Sequence, residues 1–135
     1  MTCALLIPVD DVPQPFEYGS LADLQRAIGG YVDAASWVFD DPEMTVYVHD
    51  EGKFACQPNR AVRATHDGTR WDGTPIHAGD LLDILFGPIV VAGFDPATGE
   101  DADLTDGQVA FVMERFGPDT VGSGLLATLG ILARA

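Results

Sequence analysis

Hydrophobic and polar positions change period several times along this chain, and each change marks an element. Ala4 to Val9 is a short apolar run closed by Pro8 and followed by Asp10 and Asp11, which predicts a buried first strand. Pro13 and Pro15 mark a turn, and Phe16-Glu17-Tyr18 alternates as the returning strand. Ser20 then caps a helix, with Asp23 three residues on, Leu21, Leu24 and Ile28 at helical spacing, and Gly29-Gly30 at the end. Tyr31 to Phe39 is β-branched and aromatic and predicts a strand; Asp40 to Glu43 predicts a turn around Pro42. From Met44 to His49 the alternation is clean. Met44, Val46 and Val48 face one way and Thr45, Tyr47 and His49 the other, a half-buried strand paired with the preceding one.

Asp50 to Lys53 reads as a tight turn, and Phe54-Ala55-Cys56 as the start of an extended piece continuing from Gln57 to Thr65. Two Asp-Gly pairs, at Asp67 and Asp72, signal turns before the most apolar section. There Leu81 to Phe86 and Ile89 to Ala92 predict two strands meeting at Gly87-Pro88, the second buried on both faces. Phe94 to Asp103 reads as an acidic loop. Thr105 then opens a second helix as N-cap, with Gln108 in the capping-box position. Val109, Val112, Met113 and Phe116 form its apolar stripe, and Gly117-Pro118 ends it. This order predicts one α+β domain over residues 1–121, with a mixed or mostly antiparallel sheet and two main helices. The opening hairpin and helix, with the later strand at Gly79 to Ile84, are similar to the β-grasp plan. Residues 122–135 form an apolar tail, read as a terminal helix or as a docking segment for a second subunit.

Charge changes this picture more than composition does. With 21 acidic residues against 7 Lys+Arg, the net charge is -14. Direct contact with a nucleic-acid backbone is not expected, because phosphate binding needs clustered cations. The acidity suits a soluble surface, a basic protein partner, or mimicry of nucleic-acid charge toward a DNA-binding protein. Cys3 and Cys56 are too few for a disulfide framework or a metal cluster and read as reduced, buried thiols. The first residues lack a basic region and a long apolar run, and no stretch reaches the roughly 18 apolar residues needed to cross a bilayer. A cytoplasmic location is the expectation.

Signatures of phosphate loops, nucleophile elbows, zinc proteases and deaminases are not found. His49, His66 and His77 have no metal-ligand spacing and read as surface or turn histidines. The acidic residues between Asp95 and Asp106 lack the glutamate and the spacing of a calcium loop. No cofactor is expected. The cations concentrate instead in Gln57-Pro58-Asn59-Arg60-Ala61-Val62-Arg63, which holds two of the chain's six arginines. Asn59, Arg60 and Arg63 could bind a nucleotide or another small anion through bidentate hydrogen bonds, or could pair with nearby aspartates and cap a turn. In a regular strand Arg60 and Val62 would face one way, and Asn59, Ala61 and Arg63 the other.

The same residues carry a resemblance. Leu5-Leu6-Ile7-Pro8-Val9-Asp10, the helix from Leu21 to Gly30 running into Tyr31-Val32, and Pro58-Asn59-Arg60-Ala61 together resemble a domain-of-unknown-function family of phages, plasmids and their bacterial hosts. Leu104 to Gln108, leading to Phe116, is similar to that family's C-terminal helix. The likeness extends to about Asp119, and the tail after Gly122 departs from it. Members look like accessory genes near antirestriction genes of mobile elements, so the resemblance implies a setting and no activity. Two functional expectations follow. One is a non-enzymatic accessory protein that binds a host protein through its acidic surface. The other is a small-ligand binder using Asn59, Arg60 and Arg63. Self-association through the tail is a further expectation.

Overall fold

The computed structural model describes residues 1–39 and 41–117. Strand β1 (Thr2–Ile7) turns through Asp10, at φ 61°, into the antiparallel β2 (Gln14–Tyr18). Helix α1 (Leu21–Ile28) follows, with the Ser20 hydroxyl accepting from the Asp23 amide. It stops at Gly29, whose φ of 88° is left-handed backbone that a residue with a Cβ adopts only under strain. After β3 (Val32–Ala34) the chain does not continue extended to Phe39. It curls into a 3₁₀ turn at Ser36–Val38, closed by the Val38 amide on the Ala35 carbonyl at 3.1 Å. The curl is what allows the neighbouring side chains of Val38 and Phe39 both to enter the core, since consecutive strand residues point to opposite faces.

Strand β4 (Met44–His49) pairs with β3, as its pattern predicts. Where a tight turn and an extended piece were expected, one helical turn, α2 (Gly52–Ala55), forms instead. The Phe54 and Ala55 amides both donate to the Glu51 carbonyl at 2.9 Å, which closes the turn. Strands β5 (Pro58–Arg63) and β8 (Leu81–Phe86) form a separate antiparallel pair; between them β6 (Gly68–Thr69) and β7 (Pro75–Ile76) make a small hairpin. Thus β8 and β9 (Ile89–Asp95) meet at Gly87-Pro88 but belong to different sheets.

The acidic stretch after Phe94 is not a loop throughout. Strand β9 runs on to Asp95, and β10 (Glu100–Ala102) returns along it. The turn is held by the Gly99 amide on the Asp95 carbonyl at 2.8 Å and by the Asp95 carboxylate on the Ala97 amide at 2.9 Å. Gly93 makes the close approach possible: a Cβ there would lie 2.6 Å from the Asp103 carbonyl oxygen. Helix α3 (Asp106–Arg115) completes the described chain, with the reciprocal Thr105–Gln108 capping box that its sequence predicts.

The main sheet has the order β2-β1-β9-β4-β3, with β10 on β9. Every pairing among the described residues is antiparallel. The fold is α+β with a mainly antiparallel sheet. The hairpin-then-helix part of the β-grasp likeness is present as β1, β2 and α1. The likeness stops there, because the central pair β1–β9 runs antiparallel.

Strand β9 is central because it is apolar on both faces, and Ile89, Val90, Val91 and Ala92 are each 0% exposed. Ile89 and Val91 pack with Leu5, Ile7, Met44 and Val46 against the β5–β8 pair and α3, through Val62, Leu85, Val112 and Phe116. Val90 and Ala92 pack with Ala4 and Tyr18 beneath α1, through Leu24 and Ile28. The α3 stripe thus enters the core at Val112 and Phe116, while Met113 stays exposed. Among the described residues, no helix is long and apolar enough to cross a membrane. The tail 122–135 lies outside the described residues.

Candidate functional site

Strand β5 is bulged where the sequence concentrates its cations. Pro58 pairs with Phe86 and Arg60 with Leu85, so Asn59 is an extra residue with no partner position on β8. The bulge breaks the expected alternation and turns two consecutive side chains inward. Asn59 is 1% exposed and Arg60 0%. The Asn59 amide donates to the Ile7 carbonyl at 2.8 Å and to the Gly87 carbonyl at 2.7 Å. Its Oδ1 accepts from Arg60 Nη1 at 2.6 Å. The guanidinium also donates through Nε to the Phe116 carbonyl at 3.2 Å and through Nη2 to the Asp11 carbonyl. Burial lowers the Arg60 pKa, while the charges of Asp10 and Asp11 oppose that shift.

This pair ties four segments together: the end of β1, the turn after it, the β8–β9 junction and the residue that closes α3. The Phe116 carbonyl is one of the orphan acceptors at a helix C-terminus, and a cation is favourable there. Both side chains spend their hydrogen bonds inside the protein and have no surface for a ligand. Arg63, at the end of β5, is the one residue of the expected trio that reaches the surface. Its Nη1 donates to the Gly79 carbonyl at 3.2 Å.

Arg63 lies on the rim of an open groove of about 820 Å³. Four segments build its walls: the 3₁₀ turn and start of β4, the end of β5 with the β6–β7 hairpin, β8 at Leu82, and α3. Phe39 and Phe111 meet edge-on with ring centroids 5.5 Å apart. Trp37 is 54% exposed, Phe111 39% and Leu82 38%, so the wall is apolar and open to solvent. At the first turn of α3 Gln108 Nε2 donates to the Glu43 main-chain carbonyl at 3.1 Å, and Asp41 is also part of the lining. In its last turn Arg115 Nη2 donates to the Arg63 carbonyl at 3.1 Å, and His66 is also part of the lining. The Arg115 guanidinium also lies 5.7 Å from the centre of the Phe111 ring.

Sequence reasoning missed Trp37, Phe111 and Arg115. A usable signal existed for Phe111, a large aromatic off the apolar stripe of its helix. His66, read as a turn histidine, lies in the groove wall. The histidines, cysteines and acids of the described residues form no group of three or more that could hold a metal ion.

A second polar cluster lies on the other face of the sheet. The Tyr18 hydroxyl donates to Asp101 at 2.6 Å, and the Tyr47 hydroxyl donates to the same carboxylate at 2.7 Å. Burial, then the hydrogen bond and charge of Asp101, push Tyr47 up to about 12 and raise Tyr18 further. Both phenols therefore stay protonated and fasten β10 to β2 and β4.

No curated protein matches this chain, and no solved structure does. A family model matches residues 1–117, the whole region from β1 to the end of α3. The chain belongs to that family, described as a domain of unknown function, DUF3846.

Proposed function

We propose that this chain is a non-enzymatic accessory protein of a phage or mobile element, and that it binds a basic host protein by anchoring a segment of it in the groove along α3. The observation that carries this reading is the groove itself, whose lining includes the exposed side chains of Trp37, Phe111 and Leu82. Adjoining exposed apolar side chains are characteristic of interaction sites, and aromatic residues with arginine are enriched where partners are held. The net charge of -14 adds long-range attraction for a positively charged partner and raises its association rate.

A peptide selection tests this reading. Random peptides displayed against the full chain are expected to yield binders that weaken with added salt and are lost when both Trp37 and Phe111 become alanine. Binders unaffected by those substitutions would contradict it.

A smaller anionic ligand is the second reading, favoured by Arg63, His66 and Arg115 among the groove's lining residues. It differs from the sequence expectation in that Asn59 and Arg60 take no part. A rise in melting temperature with nucleotides or simple anions, lost in Arg115→Ala, is its expected signature.

A further inference from the structure

Between Asp119 and Arg134 the sequence carries no charged residue, although the whole chain has 21 acidic residues in 135. The uncharged run holds Leu125, Leu126, Leu129, Ile131 and Leu132. Aliphatic side chains gain free energy by leaving water, so a run of them calls for an apolar surface to lie against. The family match stops at residue 117, which puts the run outside the domain that builds the groove. Within that domain the groove offers the exposed side chains of Trp37, Leu82 and Phe111. It also lies where the run is tethered: Arg115, the last residue of α3, belongs to the lining, and Gly117 is two residues further on.

Resting on the reading of the groove as a peptide site, we propose that in the free protein its occupant is the chain's own segment 125–132, returned along α3, and that a partner's segment must displace it. Residues 118–124 supply the reach. Seven residues of chain span at most about 23 Å, whereas the ten residues of α3 rise only about 15 Å, so the segment can return along the whole wall. Pro118 cannot extend the helix, and Gly122 and Gly124 bring no Cβ into a reversal. Tethering also decides between this segment and the same segment of a second copy. A tether of this length gives an effective concentration on the order of 1 mM, roughly a hundredfold above a second copy at about 10 μM. The net charge of -14 acts in the same direction, because two copies repel each other. A basic partner is drawn by that same charge and so brings an attraction that the uncharged run lacks.

The test uses the full chain, ¹⁵N-labelled, beside the double variant Leu125→Asp with Leu129→Asp. Leu132→Asp serves as a second variant, with circular dichroism confirming that each folds. A carboxylate at these positions holds the segment in water. The Trp37 indole and the Phe111 amide are expected to shift between the parent and both variants. The indole of Trp71, which is exposed and outside the lining, is expected to stay in place. A synthetic peptide of residues 122–135 is expected to return the double variant's signals to the parent positions. It is expected to bind that variant at least about tenfold more tightly than the parent, whose groove is already filled. Identical Trp37 and Phe111 signals in parent and variants would overturn the occupancy; displayed peptides that still move the Trp37 indole would leave the groove as a peptide site. If neither the 122–135 peptide nor any displayed binder moves that indole, in parent or variants, both readings fall. A Trp37 signal that changes position on dilution of the parent would assign the segment to a second copy and overturn the intramolecular occupancy.

Discussion

The side-chain oxygen of Asn59 accepts a 2.6 Å hydrogen bond from Nη1 of Arg60, its neighbour on the bulged strand β5, and both side chains are buried. Adjacent residues of a regular strand cannot meet this way, because they point to opposite faces. The bulge makes the contact possible. The contact in turn lets one guanidinium serve the turn after β1 and the close of α3 at once.

Arg60 is therefore expected to matter for stability. Arg60→Ala leaves the buried oxygens of Asn59 and Phe116 without this donor and opens a cavity, a combined loss of about 3 kcal/mol or more in denaturant unfolding. Arg63→Ala, at the exposed end of the same strand, is expected to cost much less. Equal losses would mean that the tie is not where the stability lies.

The first helix and both helix caps were legible in the sequence because capping is local: Ser20 with Asp23, and Thr105 with Gln108, lie within one turn of each other. Strand β9 was legible because its burial on both faces leaves an unbroken apolar run. The alternation of β4 was equally readable, with one face in each half of the core. Strand β10 was not, since Glu100-Asp101-Ala102 has the composition of a loop. Its pairing depends on the missing side chain of Gly93 and on two tyrosines more than 50 positions away. The bulge was illegible because alternation presumes an uninterrupted ladder. With it went the site: an arginine is expected at the surface, and Arg60 is inside. The groove, assembled from four segments that meet only in the fold, leaves no local signature apart from the off-stripe Phe111.

Gly93→Ala is expected to separate β10 from β9. Its Cβ would sit 2.6 Å from the Asp103 carbonyl oxygen, and backbone at such a distance must move. A loss of about 1–3 kcal/mol is expected, with hydrogen exchange increased at Glu100 to Ala102. Exchange unchanged there would contradict the packing described.

The N-cap of α3 offers a smaller and cleaner effect. Thr105→Ala removes the acceptor of the Gln108 amide and is expected to cost about 1 kcal/mol. Because α3 forms one wall of the groove, peptide affinity is expected to fall with it; Thr105→Ser is expected to restore both. Full stability in the alanine variant would show that the capping box contributes nothing.

Stability is also expected to depend on alkaline pH through Tyr18 and Tyr47. Both phenols have pKa values raised above the unfolded value of about 10, so the folded state holds protons that the unfolded state releases. The contribution is fully present below pH 10 and is lost as the pH rises through about 12 for Tyr47. Unfolding followed across that range is expected to show a decline that flattens in Tyr47→Phe. An identical slope in that variant would contradict the link to Asp101.

The two tryptophans allow the groove to be tested with a single spectrum. Trp37 lines the groove, whereas Trp71 is 98% exposed in the loop of the β6–β7 hairpin and is not part of the lining. Their indole N–H signals in an ¹⁵N-labelled sample, assigned by replacing each tryptophan in turn, report on the two places separately. Titration with a selected peptide is expected to move the Trp37 indole together with the amides of Phe111 and Arg115, and to leave the Trp71 indole in place. Movement of the Trp71 signal with Trp37 and α3 unperturbed would put the binding surface elsewhere and contradict the assignment of the groove.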